Sequence, residues 1–126
     1  MAEAAQGPKG FLPLTPAVFH ILLALADGEK HGYAIMQEVE EVTEGKVQMG
    51  PGTLYGSIKR MLAAGLIEES DDRPDPMLDD ERRRYYRPTG LGRNVLRQET
   101  ERMAELMALA RRKRVLAGIG SRSLRT

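Results

Sequence analysis

The chain has 126 residues and a hydrophobic content of 41%, which is enough for one small domain with a modest core and too little for two. Its 19 basic residues nearly balance its 18 acidic residues, so a binding site for a polyanion would have to be local. Because the chain contains no cysteine, a disulfide scaffold, a thiolate zinc site and a thiol nucleophile are excluded, and a cytoplasmic protein is expected.

The N-terminal segment, 1–10, lacks the basic end and apolar run of a signal peptide and is expected to be a flexible tail. Thr15 and Pro16 then predict the start of a first helix, because Thr15 can cap free amides and proline at the first helical position loses no hydrogen bond. Apolar residues repeat at helical spacing until Asp27-Gly28 ends this helix. Its apolar stretch is far shorter than the ~20 residues that span a bilayer, so no membrane helix is expected.

Two more short helices are predicted before any strand. The second covers about 31–43, with Ile35, Val39 and Val42 pointing inward. Its outer face is mostly acidic and should not lie on phosphate. The third opens at Pro51 and is stopped by Gly65.

Two short strands, 66–70 and 82–87, are predicted next, joined by a long acidic loop over 71–81. A last helix over 89–112 would be about 36 Å long, which is longer than three short helices and a hairpin can cover. Part of its apolar stripe therefore needs another partner, and we expect that partner to be a second copy of the chain. The stripe, taken as the dimer interface, consists of Leu91, Val95, Met103, Leu106, Met107 and Ala110.

Three helices followed by a two-stranded hairpin is the order of a winged helix-turn-helix. The sequence therefore predicts a mainly helical α+β fold with a two-stranded wing. The DNA-binding domain would cover 11–88, the dimerisation helix 89–112, and a basic tail 113–126. In a symmetric dimer, the third helix of one protomer would lie about one DNA turn from the third helix of its partner, so an inverted-repeat operator is expected.

The outward face of the third helix is small at its start and basic further along. At about 100° per residue, it comprises Gly52, Thr53, Gly56, Lys59, Arg60 and Ala63. Thr53 and Ser57 can donate hydrogen bonds to phosphate or base edges, and Lys59 and Arg60 can neutralise phosphate charge. Tyr55 lies on the flank of this face. These five residues are the candidate DNA contacts, although glycines that serve the turn and solvated basic residues would give the same pattern.

Four blocks of sequence, in a fixed order over most of the chain, carry a resemblance to a known family. They are Leu14-Thr15-Pro16 with Ile21-Leu22; His31-Gly32-Tyr33-Ala34-Ile35; Gly52-Thr53-Leu54-Tyr55 with Ile58, Arg60-Met61-Leu62 and Gly65-Leu66-Ile67; and Arg84-Tyr85-Tyr86-Arg87 with Thr89 and Gly92. They resemble the PadR family of bacterial transcriptional regulators, in the branch with one C-terminal helix. The resemblance implies a homodimeric winged-helix repressor that binds double-stranded DNA. In several members of the family a small-molecule effector controls binding.

The chain departs from the family pattern at two places. Pro88 stands where leucine is usual, which removes an apolar anchor and is expected to loosen the joint between wing and last helix. Gly56-Ser57 stands where proline and alanine are common.

The wing raises two further questions. The loop over 71–81 lacks the central glycine and ligand spacing of a calcium loop, so a solvated acidic tip is favoured over a metal site. Arg82, Arg83 and Arg84 at the wing base have two interpretations, namely cross-strand pairing with Glu68 or Glu69 and contact with DNA phosphate. Both can hold on opposite faces of the strand.

No catalytic arrangement can be assembled from the two histidines, so neither an enzyme nor a cofactor is expected. His20 is interpreted as a packed side chain, and His31 as a residue that fixes the start of the second helix. The alternative to a DNA-binding regulator is a winged-helix module for protein interaction, which the acidic second helix and acidic wing tip would suit.

Overall fold

A computed structural model of the chain describes residues 7–70 and 84–117. The arginines Arg82 and Arg83 and the acidic wing loop lie outside these ranges. The elements in chain order are a 3₁₀ helix (Pro8–Phe11), α1 (Pro16–Ala24), β1 (Lys30–His31), α2 (Gly32–Thr43), α3 (Pro51–Ala64), β2 (Ile67–Ser70), β3 (Tyr85–Pro88) and α4 (Gly90–Arg112). No helix within these two ranges is long and apolar enough to cross a membrane.

The helix starts follow from the capping residues. The Thr15 hydroxyl accepts a hydrogen bond from the amide of Val18, with Pro16 in the first turn of α1. The His31 ring caps α2, because Nδ1 accepts from the Ala34 amide at 3.2 Å. α1 ends at Ala24, three residues before the predicted Asp27, and the Lys30 ammonium donates to the Ala24 carbonyl at 2.7 Å. The predicted roles of Thr15 and His31 are thereby confirmed.

The core forms where α1, α2 and α3 meet the wing and the first half of α4. Its fully buried members include Leu22, Ile35, Leu54 and Val95. Val42, expected to point inward, is 59% exposed, so that prediction is wrong. It lies in the last turn of α2, beside a shallow groove between α1 and α2 that leaves Leu23 exposed as well.

The wing is an antiparallel sheet with one strand more than predicted. β3 lies in the centre and pairs with β2 on one side and with the two-residue β1 on the other. β1 could not be predicted from the sequence, because two residues are too few to show the alternation of apolar and polar side chains that indicates a strand. The pairing places His31 opposite Tyr85, with their rings edge to face at 5.3 Å.

The joint between wing and α4 depends on close backbone contacts. A Cβ at Gly92 would collide with the carbonyl of Leu66, so no other residue fits there without movement. The Thr89 hydroxyl donates to the Gly65 carbonyl and accepts from the Gly92 amide at 3.0 Å. Pro88 is itself buried. The joint expected to be loosened at Pro88 is thus fastened by its neighbours.

The N-terminal segment is held by a buried carboxylate. Glu99 is only 1% exposed, and its Oε2 accepts from the amide of Leu14 at 2.9 Å. The guanidinium of Arg102 donates two hydrogen bonds to the same carboxylate, from Nε to Oε1 at 2.7 Å and from Nη2 to Oε2 at 3.1 Å. The hydrogen bond from Arg102 lowers the pKa of Glu99, against the opposing effect of burial. The 3₁₀ helix packs against α4, so residues 8–10 of the segment expected to be a tail contact the fold.

The contact at Gly92 leads to a stability prediction. Gly92→Ala should destabilise the fold by about 1–3 kcal/mol, because the new methyl group has to displace the Leu66 carbonyl, despite the better helix propensity of alanine. Urea denaturation followed by circular dichroism measures the change. Gly90→Ala is the matched control, because no atom of the residues that the structure describes lies within 4 Å of a Cβ at Gly90. Equal stability of the two variants would contradict the tight joint.

The Glu99 cluster leads to a pH-dependent prediction. Glu99→Gln should lower the free energy of unfolding at pH 7 by about 1.5–3 kcal/mol, because charge-assisted hydrogen bonds are lost in a buried site. A carboxylate whose pKa is lowered by folding stabilises the protein above its ordinary value of 4.5 and loses this effect as the pH falls through the folded pKa. The difference between wild type and variant should therefore shrink as the pH is lowered below 4.5.

The control for this measurement is Glu101→Gln, which removes only an exposed ion pair with Arg97. Its effect should stay within about 0.5 kcal/mol at either pH. Protein concentration is held constant throughout, since association would shift apparent stability. A gap between wild type and Glu99→Gln that does not change with pH would contradict the assigned role of the carboxylate.

Candidate nucleic-acid interface

The outward face predicted for α3 is the face that the structure exposes. Thr53, Lys59 and Arg60 are exposed, and Gly56 between them is partly covered. Leu54, Ile58 and Met61 on the opposite face are buried in the core. α3 contains no acidic residue, so the field at this face is positive and accessible to a polyanion.

Two basic side chains dominate this face, and they are held differently. Within the described residues, Lys59 makes no hydrogen bond or ion pair, so its ammonium is available to a phosphate. Arg60 donates from Nη2 to the hydroxyl of Ser57 at 3.2 Å. The guanidinium keeps further N–H donors for an external acceptor.

Two of the five α3 candidates do not lie on the exposed face. Ser57 is fully buried, and its hydroxyl faces Arg60 rather than solvent. The ring of Tyr55 packs against the start of α2, where a Cβ added at Gly32 would lie 2.7 Å from its Cζ, and its hydroxyl is buried. The assignment of Ser57 as a direct DNA contact is therefore wrong, because its side chain is buried in the fold. Tyr55 is partly exposed on the flank of the face, and its assignment stays a prediction.

At the wing base, the structure shows cross-strand pairing. Arg84 is exposed and its Nη1 lies 3.1 Å from the carboxylate of Glu69. Arg87 and Glu68 stand opposite each other in the register of β2 and β3, with a 3.0 Å ion pair. The pairing interpretation is thus confirmed for Arg84, and its other interpretation as a phosphate contact stays a prediction.

The acidic side of α2 is separate from the α3 face, and its Glu38 forms an ion pair with Lys30. The Lys30 ammonium lies 2.6 Å from Asp27 and 3.5 Å from Glu38. Burial alone would lower the pKa of Lys30, but the two carboxylates raise it above the ordinary lysine value. Lys30 therefore stays charged and is committed to the fold.

The described part of the chain contains no cluster of acidic residues and histidines able to hold a metal ion. His20 packs edge to face on Phe19 at 5.3 Å, in agreement with its interpretation as a packed side chain.

The apolar stripe of α4 divides into two parts. Val95 is fully buried in the chain's own domain, so its assignment to a dimer interface is wrong. Leu91 packs against the same core but is only partly buried, and its assignment stays a prediction. Leu106 and Met107 are 51% and 47% exposed, whereas Met103 and Ala110 are partly covered. The sequence analysis missed three further exposed apolar side chains, Leu109, Val115 and Leu116.

The sequence matches the Transcriptional regulator PadR-like family over residues 21–98. The regulator Rv3488 of Mycobacterium tuberculosis is 37% identical over 87 residues, which are 69% of this chain and 75% of that protein. An uncharacterised 37.1 kDa protein in a Streptomyces fradiae transposon is 38% identical over 86 residues. These residues are 68% of this chain but only 22% of the Streptomyces protein.

Solved structures agree with this match. A PadR family transcription regulator from Clostridium difficile superposes with a TM-score of 0.64 at 22% identity, over 78% of this chain and 97% of its own. RosR from H. salinarum gives a TM-score of 0.64 at 26% identity, over 83% and 89% of the two chains. The fold is therefore the winged helix of PadR regulators, whose activity is transcriptional regulation rather than an enzymatic reaction. This chain belongs to the PadR-like family of transcriptional regulators.

Proposed function

We propose that this protein is a sequence-specific repressor that binds an inverted-repeat operator as a homodimer, with α3 in the major groove. The observation that carries the proposal is the exposed face of α3, where Lys59 and Arg60 stand beside the small residues Thr53 and Gly56. A small face lets the helix approach the base edges closely, and the positive charge of Lys59 and Arg60 attracts the polyanion.

Each exposed side chain has a proposed role. Lys59, which is unpaired within the described residues, contacts a phosphate. Arg60 presents a planar fork of donors, which suits a base edge. Thr53, near the start of α3, lies where the end of a recognition helix meets the bases or the backbone. We assign Arg84 at the wing base, with Arg82 and Arg83, to the flanking backbone.

The dimer proposal depends on α4. Its 23 residues make a helix of about 35 Å, and its second half carries Leu106 and Met107 in water. Pairing of two such helices across a two-fold axis removes this exposure. It also sets the two α3 helices about one DNA turn apart, which an inverted repeat matches.

We extend the proposal to control by a small molecule, as the family resemblance implies. A surface cavity of about 280 Å³ lies beside the joint between wing and α4. It is lined by Leu22, Ala26, Pro88, Gly92, Arg93, Leu96, Arg97 and Thr100. A ligand there would touch the segment that links α3 to α4. Release of bound operator by library compounds, measured by fluorescence polarisation, tests this extension.

The alternative is a winged-helix module that binds a protein instead of specific DNA. It is favoured by the exposed Glu40 and Glu41 on α2 and by Glu44 at its C-cap, which would attract a basic partner. Selection of duplexes from a randomised library at physiological salt separates the two functions. Enrichment of one inverted repeat supports the repressor, whereas weak binding that never sharpens to a sequence supports the alternative.

Substitutions on α3 should separate the two kinds of contact. Lys59→Ala should weaken binding to all duplexes alike and lower the slope of log affinity against log salt by about one. Arg60→Ala should cost about 1–3 kcal/mol and relax specificity at one position. Lys113→Ala, at the far end of the chain's long helix, is the charge-matched control. If the double variant of Lys59 and Arg60 retained full affinity and salt slope, α3 would not be the DNA-binding helix.

Substitutions on α4 test the dimer. Leu106→Lys with Met107→Lys should give a monomer that has lost operator affinity while Lys59 and Arg60 remain, because a charged stripe cannot be buried between two helices. Light scattering at micromolar concentration measures the mass. Glu105→Lys changes the net charge by the same amount outside the stripe and should still dimerise. A double variant that dimerises and binds normally would place the interface elsewhere.

A further inference from the structure

The side chain of Arg60 does not extend freely from α3. Its Nη2 donates to the buried hydroxyl of Ser57, one turn earlier, at 3.2 Å. A Cβ built at Gly56 would lie 3.7 Å from its Nη1. The guanidinium therefore lies back along its own helix, over the position where residue 56 has no side chain.

Neither Gly56 nor Ser57 is explained by the stability of α3. Glycine inside a helix is less stable than alanine. Among the described residues beyond the helix's own backbone, a Cβ at Gly56 would meet only Arg60 Nη1 within 4 Å, so packing there does not require glycine. Ser57 is fully buried beside Leu54 and Met61. A hydroxyl in such a place costs free energy unless it is hydrogen-bonded, and an alanine would avoid that cost.

We propose that Gly56 and Ser57 hold the Arg60 guanidinium in place before DNA arrives, so that Ser57 is a positioning residue for a base-reading arginine. The inference depends on the proposed DNA-binding function. Ser57 engages one N–H of the guanidinium and leaves the rest of the planar fork for the two acceptors of a guanine in the major groove. An arginine already held in one conformation loses less conformational freedom on binding, which increases affinity without a new contact.

The test is a double-mutant cycle on binding to a labelled duplex that the wild type selects from a randomised library. Ser57→Ala should weaken binding about 3- to 10-fold, the effect of releasing one long side chain. The salt slope should not change, because no phosphate contact is lost. The thermal midpoint should stay equal or rise, since alanine favours the helix and buries no hydroxyl. A serine that only supported the fold would not combine weaker binding with undiminished stability.

Combining Ser57→Ala with a second substitution on α3 shows whether Ser57 affects DNA binding through Arg60. Combined with Arg60→Ala, Ser57→Ala should cause no further loss of affinity. Combined with Lys59→Ala, it should weaken binding by the same factor as in the wild type, because the hydroxyl of Ser57 engages Arg60 and not Lys59. Duplexes changed at single base pairs should show that Ser57→Ala and Arg60→Ala weaken discrimination at the same G·C pair.

Three results would overturn the inference. One is unchanged affinity of Ser57→Ala; another is an equal loss with and without Arg60. If Ser57→Ala fails to fold, Arg60→Lys replaces it, because lysine keeps the charge but lacks the planar fork of donors. The third overturning result is that Arg60→Lys discriminates at that G·C pair as well as the wild type. A wild type that selects no duplex would instead refute the proposed function, which is a different outcome from a selective wild type indifferent to Ser57→Ala.

Discussion

The approach of α4 to the turn between α3 and β2 is the constraint on which the remaining structure depends. Gly92 allows the helix to touch the Leu66 carbonyl, and Thr89 ties the same turn through Gly65 and Leu66. The end of α3, the base of the wing and the start of α4 therefore meet at one point. In the proposed dimer, the direction of α4 sets where each α3 is held, so the geometry of this joint determines the spacing of operator half-sites.

Although the net charge of the chain is nearly neutral, its basic residues differ in whether they form ion pairs. Lys30 pairs with the exposed Asp27 and the partly buried Glu38, and Arg102 pairs with the buried Glu99. Arg84 and Arg87 pair across the wing. On α3, by contrast, Lys59 and Arg60 face no carboxylate within the described residues. A local positive face thus arises without a basic chain, in agreement with the expectation from composition.

The fold could be predicted from sequence wherever short-range chemistry determines it. Thr15, His31 and Gly65 mark helix ends by capping or by a left-handed backbone, and the structure agrees with each. Long-range contacts left no such mark. Glu99 accepts from the Leu14 amide, 85 positions away, and the ring of Tyr55 packs against Gly32 in another helix. Polarity assigned Ser57 to the DNA, although its position around the helix places it towards the core.

Glu99 also explains why α4 has two different halves. Val95, Glu99, Met103 and Leu106 follow one another along nearly the same face of the helix, at steps of three or four residues. Up to Glu99 this face is covered by the chain's own domain, with the N-terminal segment as the last cover. A carboxylate can be buried there only because the Leu14 amide and Arg102 meet it. Beyond it, Met103 is partly covered and Leu106 is half exposed. The same stripe that completes the core of one chain thus continues into a surface that the chain cannot cover by itself, which is the physical basis of the proposed dimer.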